Sequence, residues 1–333
     1  MPTLTRREFV ARAFAVAAAA GFAAIPPDVL SQSDESTRPQ WKSPFRVAVI
    51  TDEITQDFDK ACFVASREFG MQWVEVRELW NQNLMNLTSA EIAKAQRILK
   101  KYRLRVTDIA SPLFKVDWPG APPSKFSPKR DQFNANFGFD QQPQVLEKCV
   151  EVAKAFQTDR VRGFDFWRLE DQAPYRPAIN AKLADAAKQL AKHNIIFVLE
   201  NEHACNTATG AEAAKTLAAV TASNFMLNWD PGNAAAAGEI PFPNGYNLLP
   251  KQRIGHCHCK DIVLKTGGAG FEWAAMGKGT IDWVGQFRAL KQAGYTRGVS
   301  LETHWRGAGT PEESSRESWA GMKADLQKAG ALS

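Results

Sequence analysis

The chain has 333 residues, of which 44% are hydrophobic and 23% are charged, so it can bury a sizeable core and does not resemble a disordered protein. Its net charge is only +5 and no dense basic run occurs, which argues against a nucleic-acid partner. The odd count of five cysteines excludes a fully paired disulfide framework and indicates buried small hydrophobic residues.

The N-terminus carries the pattern of an export signal. Thr5-Arg6-Arg7-Glu8-Phe9-Val10 precedes an apolar stretch over 13–25, which is too short to span a bilayer, where about 20 residues are needed. The twin arginines resemble the signal that exports folded proteins across the bacterial inner membrane. We therefore expect cleavage after about residue 24, a periplasmic protein without stable membrane insertion, a linker over 25–44 and one domain over 45–333.

From residue 45 onward, eight short apolar runs that end in polar or charged residues alternate with stretches of helical pattern. The predicted strands are Arg46–Asp52, Trp73–Leu79, Leu104–Ala110, Arg160–Trp167, Ile195–Glu200, Asn224–Asp230, Ile254–Asp261 and Gly298–His304. The predicted helices include a capping box at Thr88-Ser89-Ala90-Glu91 with its run to Tyr102, then Val145–Phe156, Pro177–His193 and Ile281–Ala293. Eight such units predict an α/β fold, a single-domain (β/α)8 TIM barrel; an open doubly wound sheet is the alternative.

Two connections, 111–143 and 262–280, are too long for ordinary loops between a strand and a helix. Both follow strands, so both belong to the face of a barrel that carries chemistry. The first is rich in proline and aromatic residues, among them Phe114, Trp118, Phe126 and Phe133. We interpret it as a lid over a pocket, or alternatively as a loop packed for stability or against a second subunit.

Acidic and imidazole side chains gather at the ends of the last four predicted strands. Because side chains alternate along a strand, His256 and His258 share one face and Cys257 and Cys259 the other, which argues against a mixed Cys/His zinc site in that run. Several carboxylates and imidazoles converging at one barrel mouth require a compensating positive charge. A single divalent cation, Mn²⁺, Mg²⁺, Co²⁺ or Zn²⁺, is the simplest candidate.

With these segments the sequence resembles the sugar phosphate isomerase/epimerase family, also called the xylose isomerase-like barrel family. The resemblance rests on Trp73–Arg77, the strand ending at Glu200, Trp229–Asn233, His256–Asp261, Gly277–Trp283 and Leu301-Glu302. It implies a metal held by Glu200, Asp230, His258 and Glu302, with Glu200 and Glu302 as the opposed acid and base that move a proton α to a carbonyl.

Five further residues near these ends are expected to bind the substrate: Glu202, Asn233, His256, Lys260 and His304. Asn233 stands where tagatose-type epimerases have a histidine, and Leu264 where they have an arginine, so ketohexose epimerisation is not a firm expectation.

The expected activity is that of an isomerase or epimerase of a non-phosphorylated sugar or sugar derivative. A lyase or dehydratase acting on a keto-sugar or 3-keto-glycoside is the alternative, with Lys260 or His304 as its acid. A non-catalytic sugar-binding protein is a third hypothesis. The expected partner is a small sugar, and a homo-oligomer stays open.

Overall fold

The computed structural model describes residues 39–125, 127, 133–265 and 270–333. The predicted export signal and Phe126 lie outside these residues. Eight parallel strands are numbered here in chain order: β1 (Arg46–Val49), β2 (Trp73–Val76), β3 (Arg105–Leu113), β4 (Arg160–Gly163), β5 (Ile196–Glu200), β6 (Phe225–Trp229), β7 (Ile254–Cys259) and β8 (Gly298–Leu301). All eight predicted strands are confirmed.

The strands close into a barrel. Each pairs in parallel with its neighbour in the order β1-β8-β7-β6-β5-β4-β3-β2. A parallel bridge between Ile50 and Glu75 joins the two ends of that order. The (β/α)8 barrel is therefore confirmed, and the open doubly wound sheet is excluded.

A helix follows every strand. These helices are α1 (Phe58–Phe63), α2 (Ser89–Lys101), α3 (Gln142–Ala155), α4 (Arg176–Ala191), α5 (Gly210–Ala219), α6 (Pro231–Ala236), α7 (Trp283–Gln292) and α8 (Pro311–Lys328). The capping box of α2 forms as predicted, because Glu91 N donates to Thr88 Oγ1 and Thr88 N donates to Glu91 Oε2. Two short helical turns, Thr51–Ile54 and Tyr246–Leu248, lie in the connections.

Side-chain alternation divides each strand between the barrel interior and the layer of helices. On β7, Cys257 and Cys259 join the hydrophobic core between strands and helices, whereas His256 and His258 hydrogen-bond inside the barrel. All five cysteines are buried free thiols, in agreement with the prediction from their odd number. The interior therefore carries polar groups, and the apolar core lies outside the strands.

The two long connections contain more regular structure than the sequence suggested. β3 continues to Leu113, inside the predicted loop 111–143. The second connection forms an antiparallel hairpin of Asp261–Leu264 with Phe271–Ala274, called the β7 hairpin below. Both connections follow the carboxyl ends of their strands.

The end of the predicted linker packs against the barrel. Trp41 contacts the ring of Trp319 on α8, with 6.1 Å between ring centroids. Lys42 and Ser333 exchange two backbone hydrogen bonds of 3.1 Å. Ordered contacts with the barrel thus begin a few residues before position 45. In the part of the chain that the structure describes, no helix combines the length and the apolar character needed to cross a membrane.

Candidate metal centre and active site

The four predicted metal ligands meet at the carboxyl ends of the last four strands. Glu200 ends β5, Asp230 follows β6, His258 lies on β7 and Glu302 follows β8. All four are buried, and one ligand atom from each lies within 4.8 Å of the others. The structure thus brings together the whole ligand set that the family resemblance implied.

The imidazole of His258 is aimed at the three carboxylates. Its Nε2 lies 2.9 Å from Oε1 of Glu75 on β2. Its Nδ1 lies 3.2 Å from Glu302, 3.4 Å from Glu200 and 3.8 Å from Asp230, and it forms no hydrogen bond with a described residue. A buried nitrogen that faces three carboxylates, on a ring fixed by a fourth, fits a divalent cation ligated through Nδ1.

The protonation of His258 agrees with this interpretation. Burial opposes a charge on the ring, but Glu75, Glu302 and Glu200 outweigh burial and raise the pKa of His258 well above its usual value. The cluster therefore holds a proton firmly at the position where a cation would bind. Binding of a metal ion through Nδ1 would displace that proton.

Three cationic side chains surround the ligands. Lys260 Nζ lies 2.8 Å from Asp230 Oδ2 and 2.7 Å from Glu302 Oε2. Arg77 contacts Glu302 Oε1 at 3.0 Å, and Arg162 contacts Glu200 Oε2 at 3.0 Å.

These cations keep the buried acid at the end of β8 ionised. Burial would raise the pKa of Glu302, but Lys260 and His258 lower it well below its usual value. Glu302 therefore holds the negative charge that a metal ligand needs.

Asn233 holds two of the ligands in place. Its Nδ2 donates to Glu200 Oε1 at 3.1 Å and to Asp230 Oδ2 at 3.0 Å. Asp230 Oδ1 in turn accepts from the Asn233 backbone and caps the N-terminus of α6. These contacts place Asn233 among the ligands, and the substrate contact that we predicted for it stays a prediction.

A cavity of about 330 Å³ opens above the ligands. This volume falls within the range of roughly 300–1,000 Å³ that is usual for small-molecule sites. Both predicted acid/base residues line it, together with two of the predicted substrate-binding residues. Its lining consists of Lys115, Phe133, Arg162, Glu200, Glu202, His203, Ala204, Glu302 and His304.

Two other predicted substrate-binding residues have different surroundings. His256 is fully buried two positions before His258, with Nδ1 3.1 Å from Asn228 and Nε2 3.3 Å from Thr107. Burial lowers its pKa to about 3, so the ring is neutral. Lys260 is buried between Asp230 and Glu302. The substrate contact predicted for these two residues stays a prediction.

The long connection after β3 only partly fits a lid. Phe114 stacks on Phe166 at 5.1 Å, and Trp118 meets the same ring edge-on at 4.8 Å, so both serve packing. Phe133 instead lines the cavity and lies 3.9 Å from the guanidinium carbon of Arg77. Within the described residues, the beginning of this connection therefore serves packing, whereas Phe133 further along lines the cavity.

Sequence reasoning missed four residues of the site: Glu75, Arg77, Arg162 and His203. Glu75 and Arg77 lie in a segment quoted for the family resemblance, but their alternation on β2 was not used. Arg162 lies within the predicted strand Arg160–Trp167, where a charge is a usable signal of an interior partner. His203 directly follows a predicted site residue, Glu202.

Comparison with known proteins supports the fold. No curated protein matches the sequence. The structure resembles that of the probable 3-DHS dehydratase AsbF from Bacillus anthracis, with 18% identity, a TM-score of 0.63 and coverage of 84% of this chain and 98% of that one. It also resembles the D-allulose 3-epimerase from Methylomonas sp., with 17% identity, a TM-score of 0.61 and coverage of 87% and 100%.

A third similar structure is the IOLI protein with a binding zinc atom, at 15% identity, a TM-score of 0.63 and coverage of 86% and 99%. At these identities the likenesses concern the fold. The family model for the xylose isomerase-like TIM barrel matches residues 63–324. The chain therefore belongs to the xylose isomerase-like TIM barrel family.

Proposed function

We propose that the protein is a divalent-metal-dependent isomerase or epimerase of a non-phosphorylated sugar or sugar derivative, acting by abstraction of a proton α to a carbonyl. The observation that carries this proposal is the convergence of Glu200, Asp230, His258 and Glu302 beneath a cavity that both glutamates line. A pure binding protein has no need of two carboxylates on opposite sides of its ligand.

A divalent cation on these four residues would offset the negative charge that develops on the substrate oxygens as the α-proton leaves. Glu200 Oε2 makes no hydrogen bond with a described residue and is held by an ion pair with Arg162 at 3.0 Å. We assign the removal of the α-proton to this atom. Burial opposes ionisation of Glu200, but His258 and Arg162 lower its pKa, so the carboxylate is ionised before the transfer.

On the other side, Glu302 would return a proton to the carbon. Its Oε2 faces Lys260 and His258, and its Oε1 lies 3.1 Å from His304 Nε2. His304 can therefore resupply Glu302 with a proton from the cavity side, where the ring is 24% exposed.

The charges of the cavity favour a sugar without phosphate. Its two strongly basic lining residues already have carboxylate partners, since Lys115 pairs with Glu202 and Arg162 with Glu200, both at 3.0 Å. A phosphate would have to compete with a carboxylate for each of these two cations. We also propose, from the twin-arginine pattern, that the enzyme works in the periplasm.

The test is solvent exchange. Protein loaded with Mn²⁺ is incubated with free sugars and sugar acids in D₂O, and NMR follows deuterium at the α-carbon. We expect the wild type to incorporate deuterium, and Glu200→Gln and Glu302→Gln to lose at least about 100-fold in rate. Glu91→Gln at the start of α2 is the matched control.

Metal content must be measured for each variant, because both glutamates are proposed ligands. Conversion of an α-deuterated sugar with complete retention of the label in the product would refute proton abstraction and favour a hydride shift.

A further inference from the structure

A chain of charged and polar side chains leads from the cavity wall to the ligands. Glu202 lies two residues past the end of β5, and its Oε2 is 3.0 Å from Lys115 Nζ. Its Oε1 is 2.7 Å from Nδ1 of His203. Asn233 continues the chain, with Oδ1 3.1 Å from the same nitrogen and Nδ2 on Glu200. Glu202 and Asn233 therefore both contact Nδ1 of His203.

The hydrogen bonds settle which nitrogen of His203 carries a proton. Asn233 Nδ2 faces the carboxylates of Glu200 and Asp230 and must donate to them, so Asn233 Oδ1 is the atom that faces the imidazole. Nδ1 of His203 therefore faces two acceptors, this oxygen and the Glu202 carboxylate, and it must donate. Nε2 is left without a hydrogen-bonding partner among the described residues.

The ring of His203 is held at the cavity. It lines the cavity together with Glu200 and Glu302, and its side chain is 33% exposed. The rings of Phe271 and Trp273 on the β7 hairpin meet it edge-on, with centroids 5.6 and 6.2 Å away. The only polar atom that the ring has left to offer a ligand is Nε2. Glu202 also favours the charged imidazolium and raises the pKa of His203 in spite of burial.

The other candidate proton donors are less available. Lys260 is buried between Asp230 and Glu302. His304 Nε2 is buried 3.1 Å from Glu302 Oε1 and 3.7 Å from Glu53 Oε1 without a hydrogen bond to a described residue, so it faces two carboxylates rather than the open cavity. Only the free nitrogen of His203 faces the substrate without such a competitor among these three groups.

We propose that His203 is a further catalytic residue, whose Nε2–H gives its proton to a substrate oxygen that leaves from the carbon next to the one deprotonated by Glu200. The inference rests on the proton abstraction proposed above. It gives the site a second outcome, β-elimination, and a substrate class: carbonyl sugars with an oxygen substituent β to the carbonyl.

In a 3-keto-glucoside the step balances without an oxidant or reductant. The C2–H bond breaks and its proton goes to Glu200, while a double bond forms between C1 and C2. The C1–O bond breaks, and the departing oxygen takes the proton of His203. The products are an unsaturated ketone and an alcohol.

The experiment compares methyl and 4-nitrophenyl 3-keto-glucosides in D₂O, with the metal-loaded wild type and His203→Asn. Methoxide needs protonation in order to leave, and 4-nitrophenolate does not. We expect the variant to lose at least about 100-fold in methanol release and less than about 10-fold in nitrophenol release, with deuterium exchange at C2 retained. His193→Asn, at an exposed site, is the matched control.

A second readout does not depend on turnover. NMR titration should place the pKa of His203 above 6.5 in the wild type and lower in Glu202→Gln. An equal loss for both leaving groups, or a ring that titrates at or below 6.5, would overturn the role of His203 alone. Absence of exchange at C2 in the wild type would instead refute the proposed proton abstraction, and the role of His203 with it.

Discussion

Replacing Glu75 with glutamine tests whether the hydrogen bond behind His258 controls metal binding. The glutamine could still accept a hydrogen bond from His258 Nε2, so the main loss is the negative charge. That charge is present in the wild type: burial opposes ionisation of Glu75, but His258 and His256 lower its pKa to about 2. Loss of such a partner typically weakens metal binding 10- to 100-fold, or about 1.4 to 2.8 kcal/mol.

The negative charge of Glu75 also strengthens the binding of the proton that competes with the metal for His258. Glu75 is the largest of the influences that raise the pKa of His258. At pH values above that pKa the His258 ring is neutral. The variant then differs from the wild type only because its His258 is a weaker metal ligand. At pH values below that pKa, metal binding must displace the proton of His258. This displacement costs the wild type about 1.36 kcal/mol more than the variant for each unit by which its His258 pKa is higher. The variant should therefore lose most affinity at high pH and less at low pH.

The assay is a competition titration of Zn²⁺ against a chelator between pH 6.0 and 8.5. We expect the affinity of the wild type to rise more steeply with pH than that of Glu75→Gln. Glu78→Gln is the matched control, since Glu78 is also buried but bonds to the amides of Gln56 and Asn134. Affinities of Glu75→Gln and wild type that coincide at every pH in this range would refute our interpretation of His258.

Three shorter predictions concern the site, the barrel and the signal. Asp230→Ala should lower metal content sharply, whereas His193→Ala, at an exposed site beyond the end of α4, should leave it unchanged; equal metal content measured by atomic emission would contradict the ligand set. Gly298→Ala should destabilise the fold by about 1–3 kcal/mol in urea unfolding, because a Cβ there would lie 2.5 Å from the imidazole of His256. Gly138→Ala, with its nearest neighbour at 3.7 Å, is the control, and equal midpoints would contradict the close contact. Changing the twin arginines to lysines should block export, and a cleaved periplasmic form of that variant would show that the signal works otherwise.

The sequence was sufficient for the barrel, which follows from local patterns, and the family resemblance implied the four residues that the structure brings together. Short apolar runs alternate with stretches of helical pattern, and the carboxyl ends of parallel strands meet on one face. Helices with a weak apolar stripe were harder to predict. α8 (Pro311–Lys328) is mostly polar in sequence, and its segment was not among the predicted helices.

The partners of the ligands could not be predicted, because they depend on contacts between distant strands. His258 meets Glu75 across 183 positions of sequence, and the pair forms only when β2 and β7 face each other inside the barrel. His203 stands in a loop, where no strand alternation indicates its orientation. Its role depends on Asn233, whose amide orientation follows from two carboxylates on different strands.

The pairing of β1 with β8 has a consequence for synthesis of the protein. Arg46 aligns with Gly298 and Val49 with Leu301. This edge of β1 therefore stays unpaired until β8 has been synthesised. A nascent or truncated chain without β8 exposes two unpaired strand edges, on β1 and β7, and such edges promote aggregation. Contacts this distant in sequence also slow folding. We therefore expect translation stalls before residue 298 to yield insoluble chains, and chaperones that bind strand edges to raise the soluble yield.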